Sequence, residues 1–541
     1  MWNVILIVID DLRFDCLGCE SEKSWLRRYD AARFVCTPTL DALAAAGVRF
    51  RQCMSTSSYT PAAHASLLTG VYPPRHAVRT FFGSLAAEVT TLAEILAAHG
   101  YRTFGRVEHA ALPTLDLTRG IAHLDVATRD EQMVWEQVRR AQQEGEKIFL
   151  FLHCFDVHKP YYYATGSAER HAYNADYLPT VLDIAERAGL SRETLLGRAE
   201  REARRVVPHF DSLPESLREF AVMRSLDFLL RERLRTQGRL FEEMVPLYVR
   251  GVAKFDQGKL RDILNNLRAW GVLEDALLVV TSDHGESRCS WNGKEDFMNQ
   301  FDLLETSIRV PLIFHAPHVL PAGGVVEAPV SLVDIVPTVL DLLGIAYDLS
   351  AFDGRSLRPL LHGEGADFAE RPLFAETWAY RGGVDHFGNR PAQHEAFCRQ
   401  RAVRVGDHKY VVTGGVDTPD EALDDAAFVR ALFRDVLGVF EEEGEVARWT
   451  AALQRGEVTR DGLRADFRER ARRLGIAEML FDLRHDPYGE RDLIGEPRYA
   501  ALRVRLREHL ARYLHAERAA QEVGAQEQQQ LRQHLKALGY L

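Results

Sequence analysis

The stretch Asn3-Val4-Ile5-Leu6-Ile7-Val8-Ile9 runs without a break into Asp10-Asp11. An apolar, β-branched run with no polar alternation fits a strand covered on both faces, as in parallel sheets flanked by helices. KIFLFLH at 147–153 and ALLVVTSD at 276–283 repeat the pattern, and helical stretches such as TLAEILAAHG at 91–100 fall between them. The alternation predicts an α/β fold, with a mostly parallel central sheet between layers of helices. In such sheets ligands bind beyond the carboxyl ends of the strands. Two of those ends read Asp10-Asp11 and Asp283-His284.

Outward from this core the texture changes. Residues 164–247 are charged, helical and poor in strand signals, and read as an insertion or lid that shapes substrate choice. The catalytic unit is expected to span 1–370, and 371–541 to form a smaller α+β subdomain. Within it, RAVRVGDHKYVV at 401–412 and MLFDLRHD at 479–486 read as strands of a small antiparallel sheet. The Arg-rich segment 417–475 between them reads as a helical insertion. The tail from 495 is helical, ends in AQEQQQLRQHLKALGY, and offers a surface either for the body of the protein or for a homo-oligomer.

With 541 residues, 46% of them hydrophobic, the chain can bury a large core. Its formal net charge of -11 leaves no basic face for nucleic acid. It does not exclude anionic substrates, because a bound cation reverses the local potential. Seven cysteines give no disulfide framework. The Cys16-x-x-Cys19 pair lacks a second pair at zinc spacing and reads as packing before redox or metal chemistry. Neither a signal peptide nor a membrane-length apolar stretch is visible, so a cytoplasmic protein is expected.

Three short segments can carry chemistry. Asp10-Asp11 after a strand is read either as a turn or as half of a cation site, since adjacent buried carboxylates need neutralising. Ser282-Asp283-His284-Gly285-Glu286 adds oxygen and nitrogen donors at a second strand end of the same sheet. Thr60-Pro61, followed by a helix-forming run, is what a capped helix looks like. The same geometry also places a hydroxyl among free N–H groups at the positive end of a helix, which favours an alkoxide and an anionic ester.

These segments, in order, resemble the signatures of the sulfatase-like branch of the alkaline phosphatase superfamily. The resemblance rests on Asp10-Asp11 with Leu17-Gly18, Leu67-Leu68-Thr69-Gly70-Val71-Tyr72-Pro73 with His76, and Gly100-Tyr101-Arg102-Thr103. It continues through Asp156-Val157-His158-Lys159-Pro160-Tyr161, the Ser282–Glu286 block, and Arg309-Val310-Pro311-Leu312. Asp334-Ile335-Val336-Pro337-Thr338, Asp353-Gly354-Arg355-Ser356-Leu357 and Leu483-Arg484-His485-Asp486-Pro487 complete it. It implies that Asp10, Asp11, Asp283 and His284 bind a divalent cation touched by Thr60, which stands at the nucleophile's place. Calcium, magnesium or manganese would suit this set, with zinc as an option. One cation is expected rather than two, the spare donors being His153, Asp156, His158 and His394. His158 matches a substrate-pocket histidine, a candidate acid for the leaving oxygen; its alternative is a structural role beside Tyr161.

The departures from the family pattern are as informative. A sulfatase carries C-x-P-S-R, whose cysteine or serine is oxidised to formylglycine, whereas this chain reads Thr60-Pro61-Ala62-Ala63-His64. Threonine cannot give that aldehyde, and His64 stands in for the arginine. Arg106 falls where a family lysine would clamp the anion, and the second lysine position falls near Gln300. Threonine nucleophiles imply phosphate mono- or diesters, or phosphonate esters, as substrates. The rivals are a sulfuric ester hydrolase without formylglycine and a catalytically inactive binding protein that kept the fold.

Overall fold

The computed structural model describes residues 3–81, 83–109, 111–126, 131–161, 178–207, 210–212, 215–291, 294–298, 302–380, 396–413, 423–437, 443–473 and 478–521. Its strands are β1 (Asn3–Ile9), β2 (Val48–Met54), β3 (Tyr101–Val107), β4 (His123–Val126), β5 (Lys147–Cys154), β6 (Ala276–Thr281), β7 (Ser287–Trp291) and β8 (Lys294–Met298). They continue with β9 (Arg309–His315), β10 (Gly324–Val326), β11 (Val330–Ser331), β12 (Leu373–Tyr380), β13 (Ala396–Val405), β14 (His408–Thr413) and β15 (Glu478–Asp482). The central sheet has nine strands in the order β10-β2-β9-β6-β1-β5-β3-β4, with β11 also on β2. All its pairings are parallel except those of β9, which runs against β2 and β6. The mixed α/β fold with a mostly parallel central sheet is therefore observed, together with an antiparallel sheet β12-β13-β14-β15.

The unbroken apolar runs have the predicted cause. Ile5, Ile7 and Ile9 of β1 enter one core while Val4, Leu6 and Val8 enter the other. Strand β5 splits likewise, with Ile148, Leu150 and Leu152 on one side and Phe149 and Phe151 on the other. Period-two geometry thus feeds two hydrophobic cores from one strand. Register aligns the carboxyl ends: Val8 lies opposite both Thr281 and His153, and Val107 opposite His153. Whatever follows these strands converges on one edge.

Part of the segment read as an insertion or lid joins the main core. Leu226, Leu230 and Leu234 of the helix Glu215–Thr236, and Leu240, Met244 and Tyr248 of the helix Leu240–Phe255, share a core with the odd-numbered residues of β1. These helices therefore contribute apolar side chains to the core on one side of the sheet. Residues 164–177 lie outside the described residues.

In the C-terminal part, the helices Asp425–Ala431, Glu443–Gln454 and Arg460–Arg473 enclose a small core of their own around Phe428, Phe433, Leu463 and Phe467. The helix Ala500–Gln521 packs Leu506, Leu510 and Tyr513 onto Tyr410, Val412 and Leu480 of this chain's own sheet. The Gln-rich end lies outside the described residues. Among the described residues no helix is long and apolar enough to cross a membrane. Cys16 and Cys19 are free thiols, the first buried and the second exposed.

Candidate functional site

The chain leaves β1 through Asp11, which has a positive φ of 62°. Two successive side chains of an extended strand point to opposite faces. The left-handed turn at Asp11 breaks that alternation and lets both carboxylates serve one site, and aspartate tolerates it better than most residues. Ser282 ties the two strand ends together: its Oγ donates to the carbonyl of Ile9 at 2.6 Å and accepts from Leu12 N at 3.0 Å. Gly285 is needed here because a Cβ would stand 2.4 Å from the carbonyl oxygen of Thr306.

Around these ends six of the sequence-derived residues meet. Thr60 Oγ1 is 3.0 Å from His284 Nε2, and that nitrogen is 3.2 Å from Asp283 Oδ2. His284 Nδ1 is 2.9 Å from Asp11 Oδ1, and Asp11 N donates to Asp283 Oδ1 at 3.2 Å. His158 Nε2 lies 3.6 Å from Asp11 Oδ2. Asp10, Asp283 and His284 form one group whose ligand atoms lie within 4.8 Å of one another; Asp10, Asp11 and His158 form a second. Asp10, Asp11, Asp283 and His284 are all fully buried.

Thr60 itself differs from expectation by one position. Tyr59 holds the cap position, its carbonyl accepting from Ala63 N at 3.1 Å, and Thr60 is the first residue of the helix Thr60–Thr69. Its hydroxyl makes no capping bond because it faces His284 instead. His64, one turn on, is bonded through Nδ1 to Thr60 O at 2.9 Å and stands 3.4 Å from Asp283 Oδ2, while its Nε2 has no hydrogen-bond partner. Arg106, at the end of β3, is 6% exposed and reaches Glu108 Oε1 at 3.5 Å. Among the spare donors, Asp156 is taken by Lys259 at 2.7 Å, and His394 lies outside the described residues.

Electrostatics follow from packing three acids together out of water. Burial, then the neighbouring Asp11, raises the pKa of Asp10 well above the carboxylate range, and burial and Asp10 push Asp283 up to about 7. Burial opposes a charged His284, but Asp283, Asp11 and Asp10 overcome it and lift its pKa to about 10. Burial raises Asp11 too, yet His158 and His284 bring it below its usual value. Burial keeps His158, at about 3, and His153, at about 4, neutral. The donor set fits a hard divalent cation. It is oxygen-rich, its ligand atoms lie within 4.8 Å of one another in each group, and it includes a fully buried Asp10 Oδ1 with no hydrogen-bond partner among the described residues.

Other residues support the cluster, and the first of them, His153, is one of the spare donors named from the sequence. His153 Nδ1 accepts from Glu108 N at 3.3 Å, so Nε2 bears the proton and donates to Asp10 Oδ2 at 3.1 Å. Its place at the end of β5, level with Asp10, is the clue that strand-end reasoning offered. Glu108 is held in turn by buried Lys259 and by Phe155 N. Tyr248 donates to Asp11 O at 2.7 Å and accepts from Arg13 N at 3.0 Å, which pins the turn at Asp11 from the helical layer. Tyr248→Phe keeps the ring packing against Tyr161 and Phe297 but removes the phenol's bonds to that carbonyl and amide. Its divalent-cation affinity is expected to fall about tenfold, the scale of losses on removing groups that orient ligands. Cation titration by calorimetry measures it; unchanged affinity would show that the turn holds without the phenol.

A family model described as Sulfatase matches residues 2–345. The chain belongs to the sulfatase family. The ulvan-active sulfatase of Formosa agariphila is 26% identical over 419 residues, 76% of this chain and 73% of that protein. Human arylsulfatase D is 28% identical over 441 residues, covering 69% and 70%. Among solved structures, one described as in complex with its substrate D-glucosamine-2-N,6-O-disulfate aligns with a TM-score of 0.60 at 16% identity, covering 96% of this chain and 98% of that one. The phosphonate monoester hydrolase of Silicibacter pomeroyi aligns at 0.53 with 21% identity, covering 95% of each chain. At these identities the structural likeness speaks for the fold alone. Family membership makes this chain an ester hydrolase by class; enzymes of the family use a divalent cation, and the acidic and histidine groups here could bind one.

Proposed function

We propose that this sulfatase-family chain cleaves phosphate mono- or diesters, or phosphonate esters, through a covalent intermediate on Thr60. The observation behind this reading is the Thr60 hydroxyl, buried at a helix start, free of any capping bond and 3.0 Å from His284 Nε2 within a cluster of three carboxylates. Asp10, Asp11, Asp283, His284 and Thr60 would hold the cation, one rather than two. Bound there, it would neutralise the carboxylates and offset the charge of an anionic ester.

Thr60 Oγ1 loses its proton as it bonds to phosphorus. The bond to the leaving oxygen breaks opposite it, and that oxygen takes up a proton. His284 Nε2 stands next to Oγ1 as one of the proposed cation ligands, so the proton of Oγ1 would pass to a substrate oxygen or to water, and the helix N-terminus opposes charge on the equatorial oxygens. His158, with a side chain 12% exposed, stands at the open side of the cluster, where the leaving oxygen exchanges its proton. Arg106 and His64 line the anion's surroundings. Water, or an acceptor alcohol, then attacks the phospho-threonine and frees Thr60.

Sulfate esters are the second reading, favoured by the names of the curated relatives. One preparation assayed with an aryl sulfate, a phosphate monoester, a phosphodiester and a phosphonate ester separates the two. Turnover of the phosphorus esters, with a phosphoryl adduct on Thr60 by intact mass, is expected. Turnover confined to the sulfate overturns the first reading.

A further inference from the structure

Two arginines buried elsewhere in the fold each face a carboxylate. Arg13 is held by Asp15 at 2.6 Å and Arg231 by Asp227 at 2.7 Å. Burial opposes their charge, the carboxylates overcome it, and each guanidinium sits above its ordinary pKa. Arg309 and Arg404 differ. They are 8% and 2% exposed, and burial pushes both below the ordinary guanidinium range. The acid acting on both is Glu305, itself buried, whose Oε1 is taken by Lys409 at 2.7 Å and whose Oε2 stands 3.9 Å from Arg404. Glu20, also buried, is engaged by Arg49 and Arg51. Arg309, Arg404 and Lys409 thus lean on one buried carboxylate, a costly arrangement for charges out of water.

Both arginines line one cleft of about 1010 Å³, bordered by β2, the start of β9, the turn from β13 to β14 and the helix Ala500–Gln521. Neither Thr60 nor any of Asp10, Asp11, Asp283 and His284 lines it. Among the described residues Arg309 makes one side-chain hydrogen bond, from Nε to the carbonyl of Arg51 at 2.8 Å, and its two terminal nitrogens make none. Other charges on the wall are already matched, Arg51 with Glu327 at 2.9 Å and Arg484 with Asp407 at 2.8 Å. Of the remaining acids, Glu22 accepts from Ser24 N at 2.8 Å and Glu370 is exposed to water, which screens it. Arg505 is exposed and has no carboxylate partner among the described residues. Val405, Leu502 and Leu506 give the cleft an apolar side.

We propose that this cleft is a second anion site, in which Arg309 and Arg404 hold a phosphate or sulfate group carried on a small organic body. Guanidinium groups match such oxyanions in both charge and planar donor geometry. The volume suits a whole organic ligand rather than a free ion, and the apolar side takes the part that carries no charge. The site does not depend on the chemistry proposed at Thr60.

The test is calorimetry on the cation-loaded protein with benzylphosphonate and benzylsulfonate, which have no ester bond to cleave, beside inorganic phosphate, inorganic sulfate and benzyl alcohol. The benzyl anions are expected to fill a site that Arg404→Met weakens at least tenfold and Arg505→Glu about threefold. Binding at the strand-end cluster is told apart because it survives both variants. Free phosphate and sulfate should bind at least tenfold more weakly than their benzyl forms, and benzyl alcohol not at all. The phosphonate and sulfonate arms show which head group the arginines prefer. Should Arg404→Met fail to fold, Arg505→Glu decides, since its side chain is exposed and pairs with no carboxylate among the described residues. Binding that responds to neither variant, or no binding, overturns the site. Free anions that bind as tightly as their benzyl forms overturn the organic body.

Discussion

Thr60→Ala is expected to fold and bind its divalent cation, yet to turn over ester substrate a thousandfold or more slowly, on the order seen when a nucleophile is removed. The expectation that it folds comes from the local geometry. Thr60 Oγ1 caps nothing, since Tyr59 occupies the cap position and Pro61 follows, so the helix Thr60–Thr69 loses no bond of its own. Among the described residues, that hydroxyl is hydrogen-bonded to His284 Nε2 alone. Thr60→Ser should retain both the adduct and most of the rate. Thermal melting, cation content and kcat measured together settle the matter. An Ala variant that keeps its rate would mean that the attacking oxygen comes from elsewhere, and the covalent route would have to be abandoned.

How much of this was legible in the chain differs between the sheet and its surroundings. The run Val4–Ile9 predicts a strand buried on both faces, and β1 does divide its side chains between two cores. The meeting of Asp10, Asp11, Asp283 and His284 follows from parallel neighbours ending in register, a property of strand ends that sequence carries. The packing of the segment read as an insertion was harder to read, because charged outer faces dominate its composition. Leu226, Leu230 and Leu234 recur at helical spacing but say nothing about which surface they meet. Tyr248 and Lys259 were illegible for a related reason. A phenol bonded to Asp11 O, or an ammonium between Glu108 and Asp156, is set by tertiary packing across more than a hundred residues. His64 shows the middle case. The motif gives its position, but its bond to Thr60 O and its approach to Asp283 appear only once the helix is docked.

Removing the cation from the loaded protein should abolish turnover and lower the melting temperature, and rebinding it should release protons in a pH-dependent way. Without a cation, three buried carboxylates face one another, and the protein answers by keeping His284 charged, with its pKa lifted to about 10, and Asp283 close to half-protonated at neutral pH, at about 7. A ligating imidazole and carboxylate must be deprotonated, so protons and cation compete for the same atoms. The sign follows: these groups are raised, so protons win as the pH falls and cation affinity drops. Between pH 7 and 9 His284 must give up a proton, and Asp10, also raised by burial and by Asp11, can add to the release, so affinity should rise at least about tenfold per pH unit. Below pH 7 Asp283 adds a further proton, and the slope should steepen. Calorimetry of the binding of magnesium, calcium or manganese ions in buffers of different ionisation enthalpy counts those protons directly. The same experiment bears on stability, since a cation at a hundred times its Kd adds about 2.7 kcal/mol to the folded state. Binding that released no proton at pH 8 would place the cation away from His284, and the cluster at the strand ends would then need another explanation for its buried charge.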